Sequence, residues 1–156
     1  MQYLRYECCN GTAAVAEEVS RIVESGFLTP EQGALVDCRQ IAAFFETEIG
    51  EKIRSGAKCL REFKFSILVP AEEFGQGLAG EQVLMQGVVD CALMEEDGIV
   101  LLDFKTDHVT DETIYSTAER YRSQVETYAG ALARIYKTPV KEKLLYFFSM
   151  NRFVKL

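Results

Sequence analysis

The sequence predicts an α/β fold, a mixed central sheet flanked by helices, and three observations carry that reading. Apolar residues recur at helical spacing through the first third of the chain and switch to period two in the middle. An Asp-Gly step separates two apolar runs there, which reads as a hairpin. The resulting order, helices, strand, hairpin, helix, strand, suits a mixed sheet with helices on its faces.

Taken in order, Val15, Val19, Ile22 and Val23 mark a first helix, and Gly26 is a natural stop. Thr29-Pro30-Glu31-Gln32 restarts a helix: Thr caps, Pro takes the first position, and Gln stands three after the cap. Ile41, Phe44, Phe45, Ile49 and Ile53 continue an apolar stripe to about Gly56. Phe63, Phe65, Ile67 and Val69 then alternate with Glu62, Lys64, Ser66 and Leu68, a strand ended by Pro70. After a Gly-rich loop (Gly75, Gly77, Gly80), strands are expected over 83–94 and 99–105, with Glu96-Asp97-Gly98 turning between them. Ile114, Ala118, Tyr121, Val125, Tyr128, Leu132 and Ile135 predict one long amphipathic helix that ends before Pro139. Leu144-Leu145-Tyr146-Phe147-Phe148 reads as a buried strand, and 153–155 as a short further one.

A chain of 156 residues suits one domain with a true core. Its 48% hydrophobic and 26% charged residues are ordinary for a soluble globular protein. No apolar run approaches the roughly 18 residues of a membrane span. Met1-Gln2-Tyr3-Leu4-Arg5 does not open a secretory signal. The five cysteines form no C-x-x-C pair, which reads as reduced thiols in a cytosolic protein rather than a zinc or iron–sulfur site. The net charge of −7 argues against a domain that merely coats nucleic acid. From Tyr115 onward, however, the chain carries 8 Lys/Arg and 3 acids, net +5, which leaves −12 for the rest. An acidic part beside a basic part suits a metal site next to a phosphate-facing surface, and equally an acidic face that contacts another domain.

The informative constellation is Asp90 in Gly87-Val88-Val89-Asp90, with Asp103 and Lys105 in Asp103-Phe104-Lys105. With a two-residue Asp97-Gly98 loop, Asp90 lies opposite Lys105 and Asp103 is diagonal to both. A four-residue loop also keeps the three on one face, and an odd-length loop separates them. Two carboxylates among apolar neighbours repel each other and lose hydration unless something uses them. A hard divalent cation removes both penalties, can polarise a phosphate and can activate a water. Lys105 can then steady the phosphate charge. Read bare, the same pattern also suits a lysine that neutralises an aspartate at a hairpin end.

The surrounding sequence adds a resemblance. G-x-x-D, a turn, then Ile99-Val100-Leu101-Leu102-Asp103-Phe104-Lys105-Thr106-Asp107 resembles the core of the PD-(D/E)XK nuclease superfamily. Gln124-Val125-Glu126-Thr127-Tyr128 matches the Q-x-x-x-Y motif of its RecB-like branch, with Gln124 and Tyr128 on one helical face. Residues 26–156 resemble more closely the C-terminal nuclease domain of the A-type subunit of AddAB-type helicase–nucleases. Gly26-Phe27-Leu28-Thr29, Arg61-Glu62-Phe63 and the Asp-Phe-Lys-Thr-Asp phrase carry that likeness.

The resemblance implies a restriction-endonuclease-like fold, with residues 1–156 one nuclease domain from the C-terminal part of a larger subunit. It implies Mg²⁺, with Mn²⁺ as a substitute, on Asp90 and Asp103, catalytic support from Lys105, and Gln124 and Tyr128 bordering the site and the strand. The activity implied is metal-dependent hydrolysis of DNA phosphodiesters, as an exonuclease in double-strand-break repair and recombination. The implied partners are DNA, touched by Arg120 and Arg122, and a second helicase–nuclease subunit; the implied location is cytoplasmic, with no membrane. No G-x-x-x-x-G-K-[ST] occurs, so ATP would bind outside this chain.

Glu62 aligns with a family Glu in the strand before the hairpin, and could equally pair with Lys64 or Arg61. The family also has a His metal ligand on its first helix, which this chain lacks. Either Gly11-Thr12-Ala13-Ala14-Val15 occupies that segment, with Val15 in place of His, or the segment precedes Met1. His108 reads as an exposed loop residue. The rival readings are a non-catalytic DNA- or subunit-binding module of the same fold, and a metal-independent binding domain.

Overall fold

The computed structural model describes residues 1–73, 75, 77 and 79–156. Of the expected Gly-rich loop, Phe74, Gln76 and Leu78 lie outside the described residues.

Caps and apolar spacing set an N-terminal helical layer. Helix α1 (Thr12–Glu24) buries Val15, Val19 and Ile22, with Gly26 beyond its end at a φ of 75°. Helix α2 (Pro30–Ala34) opens with a full capping box between Thr29 and Gln32. The apolar stripe that follows is divided between α3 (Cys38–Phe45) and α4 (Glu48–Arg54), begun by the Asp37 and Thr47 side chains. Gly50 permits that fold-back, because a Cβ there would stand 2.0 Å from the Phe44 carbonyl oxygen.

Strands β1 (Cys59–Pro70), β2 (Gln82–Glu95) and β3 (Gly98–Lys105) follow, then helices α5 (Ile114–Arg120) and α6 (Arg122–Tyr136), then β4 (Val140–Phe147) and β5 (Arg152–Lys155). The five strands form one mixed sheet in the order β1-β2-β3-β4-β5. Only β3 and β4 run parallel, and the chain between them crosses through α5 and α6, as a parallel pair requires. The expected single long helix is thus two. They part at Tyr121, whose N–H bonds the Ala118 carbonyl at 3.0 Å, without a Gly or Pro to mark the break.

The sheet is covered on both faces. Cys91, Leu93, Val100, Leu102, Leu144 and Tyr146 pack with α1, α3 and α4. Ala92, Ile99, Leu101, Leu145 and Phe147 pack with α5 and α6. The result is three layers, helix–sheet–helix, around the buried β3. Outside this sandwich the β1–β2 ribbon leaves one face open, where Leu68 and its partner Leu84 are 61% and 56% exposed. The five cysteines are free, and two that are distant in sequence meet across β1 and β2, Cys59 Sγ lying 3.0 Å from Cys91 Sγ.

Two details differ from expectation and both bear on the site. The hairpin turns on Glu96-Asp97, one position earlier than Asp97-Gly98, and Gly98 already pairs with Glu95. The glycine serves a close approach instead: a Cβ there would lie 3.0 Å from the Pro139 carbonyl, which accepts the Ile99 N–H. The register is therefore that of the four-residue loop, and one step past Cys91–Leu102 it sets Asp90 opposite Asp103, not Lys105. Strand alternation also slips. Arg61 and Cys91 face the N-terminal layer while Phe63 and Val89 face α6, so Glu62 and Asp90 stand where β1 and β2 exchange faces. Glu62 adopts a φ of 47°, an unusual value for a non-glycine residue.

Candidate active site

The slip at Asp90 releases its side chain from the ordinary in-and-out pattern. β2 stops pairing with β3 at Cys91–Leu102, so the Phe104 N–H would otherwise lack a strand partner. Asp90 Oδ2 accepts that N–H at 2.9 Å. The carboxylate thereby lies in the fork between the two strands, beside Asp103 on the centre of β3.

Asp103 is 2% exposed. Lys105, two residues on and thus on the same face, places its ammonium 2.5 Å from Asp103 Oδ2. That oxygen is buried and accepts no well-directed hydrogen bond. Burial lifts the Asp103 carboxyl above the usual aspartate range; Lys105 opposes the rise, and the nearby charge of Asp90 adds to it.

Helix α6 supplies the opposite wall. Gln124 Oε1 is 3.5 Å from Lys105 Nζ, and its amide nitrogen donates to the Tyr128 hydroxyl at 2.9 Å. Gly87 makes room for that tyrosine, since a Cβ on it would come within 2.7 Å of the Tyr128 ring. The structure thus brings Asp90, Asp103, Lys105, Gln124 and Tyr128 together at one end of the sheet, where β2 and β3 part.

Glu62 forms no ion pair among the described residues, so neither Lys64 nor Arg61 neutralises it. It lies across the β1–β2 ladder from Asp90. Arg61 turns the other way, over the Tyr6 ring at 3.6 Å, and donates to the carbonyls of Met1, Gln2 and Leu4. It straps the first residues beside the fork, and the Met1 amine feels the charges of Glu62 and Asp90 while burial lowers its pKa. Val15 is wholly buried in α1, and His108 is exposed.

Arg120 is exposed and donates to the Thr117 hydroxyl, and Arg122 is tied to Glu119 at 2.7 Å. The basic second part of the chain is largely engaged in such pairs: Arg134 with Glu73, Lys141 with Glu95 and Asp97, Lys143 with Glu126, Arg152 with Asp111, and Lys155 with Glu142. It is no continuous free basic surface.

Two residues of this neighbourhood escaped the sequence reading. The Tyr121 ring lies under the Lys105 ammonium, 3.8 Å from it, and the Tyr121 hydroxyl meets both oxygens of Asp107 at 3.0 Å. Asp107 was visible as the last letter of Asp-Phe-Lys-Thr-Asp, whereas Tyr121 matched the apolar stripe of a helix.

Among the described residues no three His, Cys, Asp or Glu side chains gather closely enough to hold a metal ion on their own. The donor chemistry nevertheless fits a hard divalent cation. Asp90 and Asp103 offer carboxylate oxygens, that of Asp103 includes a buried one without a hydrogen bond, and Mg²⁺ takes only one or two protein carboxylates with water completing its shell. No helix of the described residues is long and apolar enough to cross a membrane.

Comparison with known proteins agrees with this arrangement. The A-type subunit of the ATP-dependent helicase/nuclease of Bacillus mycoides (strain KBAB4) is 38% identical over 150 residues, 90% of this chain and 12% of that protein. The protein of the same name from Clostridium botulinum (strain Kyoto / Type A2) is 37% identical over 161 residues, 100% of this chain and again 12% of the relative. The chain therefore spans about 12% of the length of the curated relatives it matches. The model of the PD-(D/E)XK nuclease superfamily matches residues 3–155 and so takes in both acid-bearing strands, the lysine and the Gln–Tyr helix: the chain belongs to that superfamily.

Proposed function

We propose that residues 1–156 form one metal-dependent DNA nuclease domain, the C-terminal part of an ATP-dependent helicase–nuclease subunit that works in double-strand-break repair and recombination. The observation that carries this reading is the meeting of Asp90, Asp103 and Lys105 in the β2–β3 fork, with Gln124 and Tyr128 facing them from α6. The names of the relatives support the helicase partner, DNA as substrate, and a second subunit. On this reading the domain acts in the cytoplasm as an exonuclease, and ATP binds elsewhere in the subunit.

Asp90 and Asp103 would hold Mg²⁺, or Mn²⁺ in its place. Such an ion supplies Lewis acidity toward a phosphate oxygen. The rest belongs to the chain. Lys105 presents an ammonium to the phosphate as negative charge builds on it, and orients the attacking water. Gln124 limits where that ammonium points, and the Tyr128 ring borders the strand being cut. Glu62 adds a further acid beside Asp90, and Arg120 and Arg122 give weak phosphate contacts at the rim.

A second reading, a non-catalytic DNA- or subunit-binding module of the same fold, is favoured by one observation: the carboxylate pair is joined by no third ligand-type side chain among the described residues. Calorimetric titration with Mn²⁺, alongside cleavage of linear DNA, separates the two. Saturable binding that Asp103→Ala abolishes and Lys105→Ala preserves, with cleavage that depends on the metal, is the expected result. A chain that neither binds the ion nor cuts DNA sinks the catalytic reading.

A further inference from the structure

Lys105 carries a long flexible stem, and nothing in its own strand fixes where the ammonium sits. Three contacts do so: Asp103 at 2.5 Å, Gln124 at 3.5 Å, and the face of Tyr121 at 3.8 Å. The first is the contact that any cation on the Asp103 carboxylate would weaken. The other two do not depend on that carboxylate's charge.

Tyr121 is not simply a core aromatic that happens to be near. It stands at the break between α5 and α6, which neither Gly nor Pro imposes, and the break turns the ring toward β3. Its hydroxyl is held by both Asp107 oxygens, each at 3.0 Å. Asp107 is itself fixed, because the Ser149 hydroxyl donates to its carbonyl at 2.8 Å and receives the Val109 N–H at 3.4 Å. A chain of contacts therefore runs from the end of β4 through the loop after β3 to the ring, and from the ring to the ammonium. A carboxylate that accepts from the phenol also enriches the ring face electronically, which strengthens its hold on a cation.

We propose that Tyr121, anchored by Asp107, is a positioning residue for Lys105, keeping the ammonium directed into the β2–β3 fork when Asp103 no longer holds it. This rests on the nuclease reading above. Tyr121 touches neither substrate nor metal; it acts through Lys105.

Two measurements on the 156-residue chain test it. The first is independent of activity: in NMR spectra, the Lys105 side-chain methylene protons next to the ammonium should be shifted upfield by the ring current. Tyr121→Phe should largely keep that shift, Tyr121→Leu should abolish it, and Asp107→Asn should reduce it as the ring loosens. The second is the rate of metal-dependent DNA cleavage. Tyr121→Leu should lower kcat about 10-fold with KM nearly unchanged, a loss of about 1.4 kcal/mol and within the range of one cation–π contact. Tyr121→Phe should recover most of it, and Asp107→Asn, which leaves the fold's core untouched, should lose about threefold, or about 0.7 kcal/mol. In a Lys105→Met background Tyr121→Leu should cost nothing further, because both changes remove one shared function.

Unshifted Lys105 protons in the wild-type chain overturn the proposal, as does full kcat in Tyr121→Leu and Asp107→Asn. An equal loss on the Lys105→Met background overturns it too, since the ring would then act independently of the lysine. A wild-type chain without metal-dependent cleavage sinks the nuclease reading, and this one with it. A cleaving wild type indifferent to Tyr121 and Asp107 sinks only this one.

Discussion

Lys105 and Asp103 neutralise each other at 2.5 Å, yet the two are expected to fail differently when changed. An ammonium cannot ligate Mg²⁺, whereas a carboxylate can. Lys105→Ala should therefore cut the cleavage rate by about 100-fold or more, the scale of losing one positioned transition-state stabiliser, while Mn²⁺ affinity by calorimetry stays. Loss of metal affinity in Lys105→Ala would assign that lysine to the ligand shell's support instead. Asp103 makes a second expectation through its buried charge. Its pKa is raised in the fold, chiefly by desolvation, so the folded protein favours the protonated acid and loses stability as pH rises through the raised value. In the presence of EDTA, Asp103→Asn should then have the higher melting temperature at pH 7, with the gain fading toward pH 3.8. A lower melting temperature at pH 7 would mean that Lys105 more than offsets the burial. At this scale Asp90, Asp103, Lys105, Gln124 and Tyr128 were legible because spacing alone puts each set on one face. Tyr121 was not, because an aromatic at a helical core position looks the same whether or not a cation rests on it.

The elements around the site were legible in kind and misread at their joints. The hairpin was announced by Asp97-Gly98, but the glycine answers the approach of the Pro139 carbonyl, a contact from a part of the chain some 40 residues away. The α5–α6 break and the α3–α4 break both interrupt a continuous apolar stripe, and periodicity cannot see an interruption that preserves the face. Gly87 is the element-scale test. It lies on β2 under Tyr128 and Phe65, and an added methyl would come within 2.8 Å of both rings. Gly87→Ala should cost about 1–3 kcal/mol by urea unfolding, the usual range for overpacking. It should also lower cleavage more than that loss of folded protein explains, because Gln124 is bonded to the displaced tyrosine. Wild-type cleavage in a measurably destabilised Gly87→Ala would show that α6 can shift without consequence for the site.

Across the whole molecule, the first residues are fastened by charge at a distance from the sheet. Glu18, buried at 2% exposure, accepts from the Arg5 backbone and from the guanidinium groups of Arg5 and Arg21, and Arg21 in turn donates to the Tyr3 carbonyl. Arg21 and Arg5 hold the Glu18 carboxyl down to about 2, from an ordinary value of 4.5. The sign follows from that depression: the contribution is complete above about pH 4.5 and fades as the pH falls toward 2. Glu18→Gln should destabilise by about 2 kcal/mol at pH 7 and much less near pH 2, read from melting curves. A loss independent of pH would point to packing, not charge. Sheet order has a consequence of another sort, in time. Asp90 and Asp103 are joined by a short hairpin closure, whereas β3 meets β4 only after the chain has travelled out through α5 and α6 and back. Loop closure favours the nearer pairing, so in refolding the two acids should be side by side before the Gln124 wall arrives. The fork would then exist for a while as an open ribbon of like charges, steadied by Lys105 alone. Pulse-labelled hydrogen exchange should find β2–β3 amides protected ahead of those between β3 and β4, and the reverse order would show that the crossover, not the hairpin, organises the site.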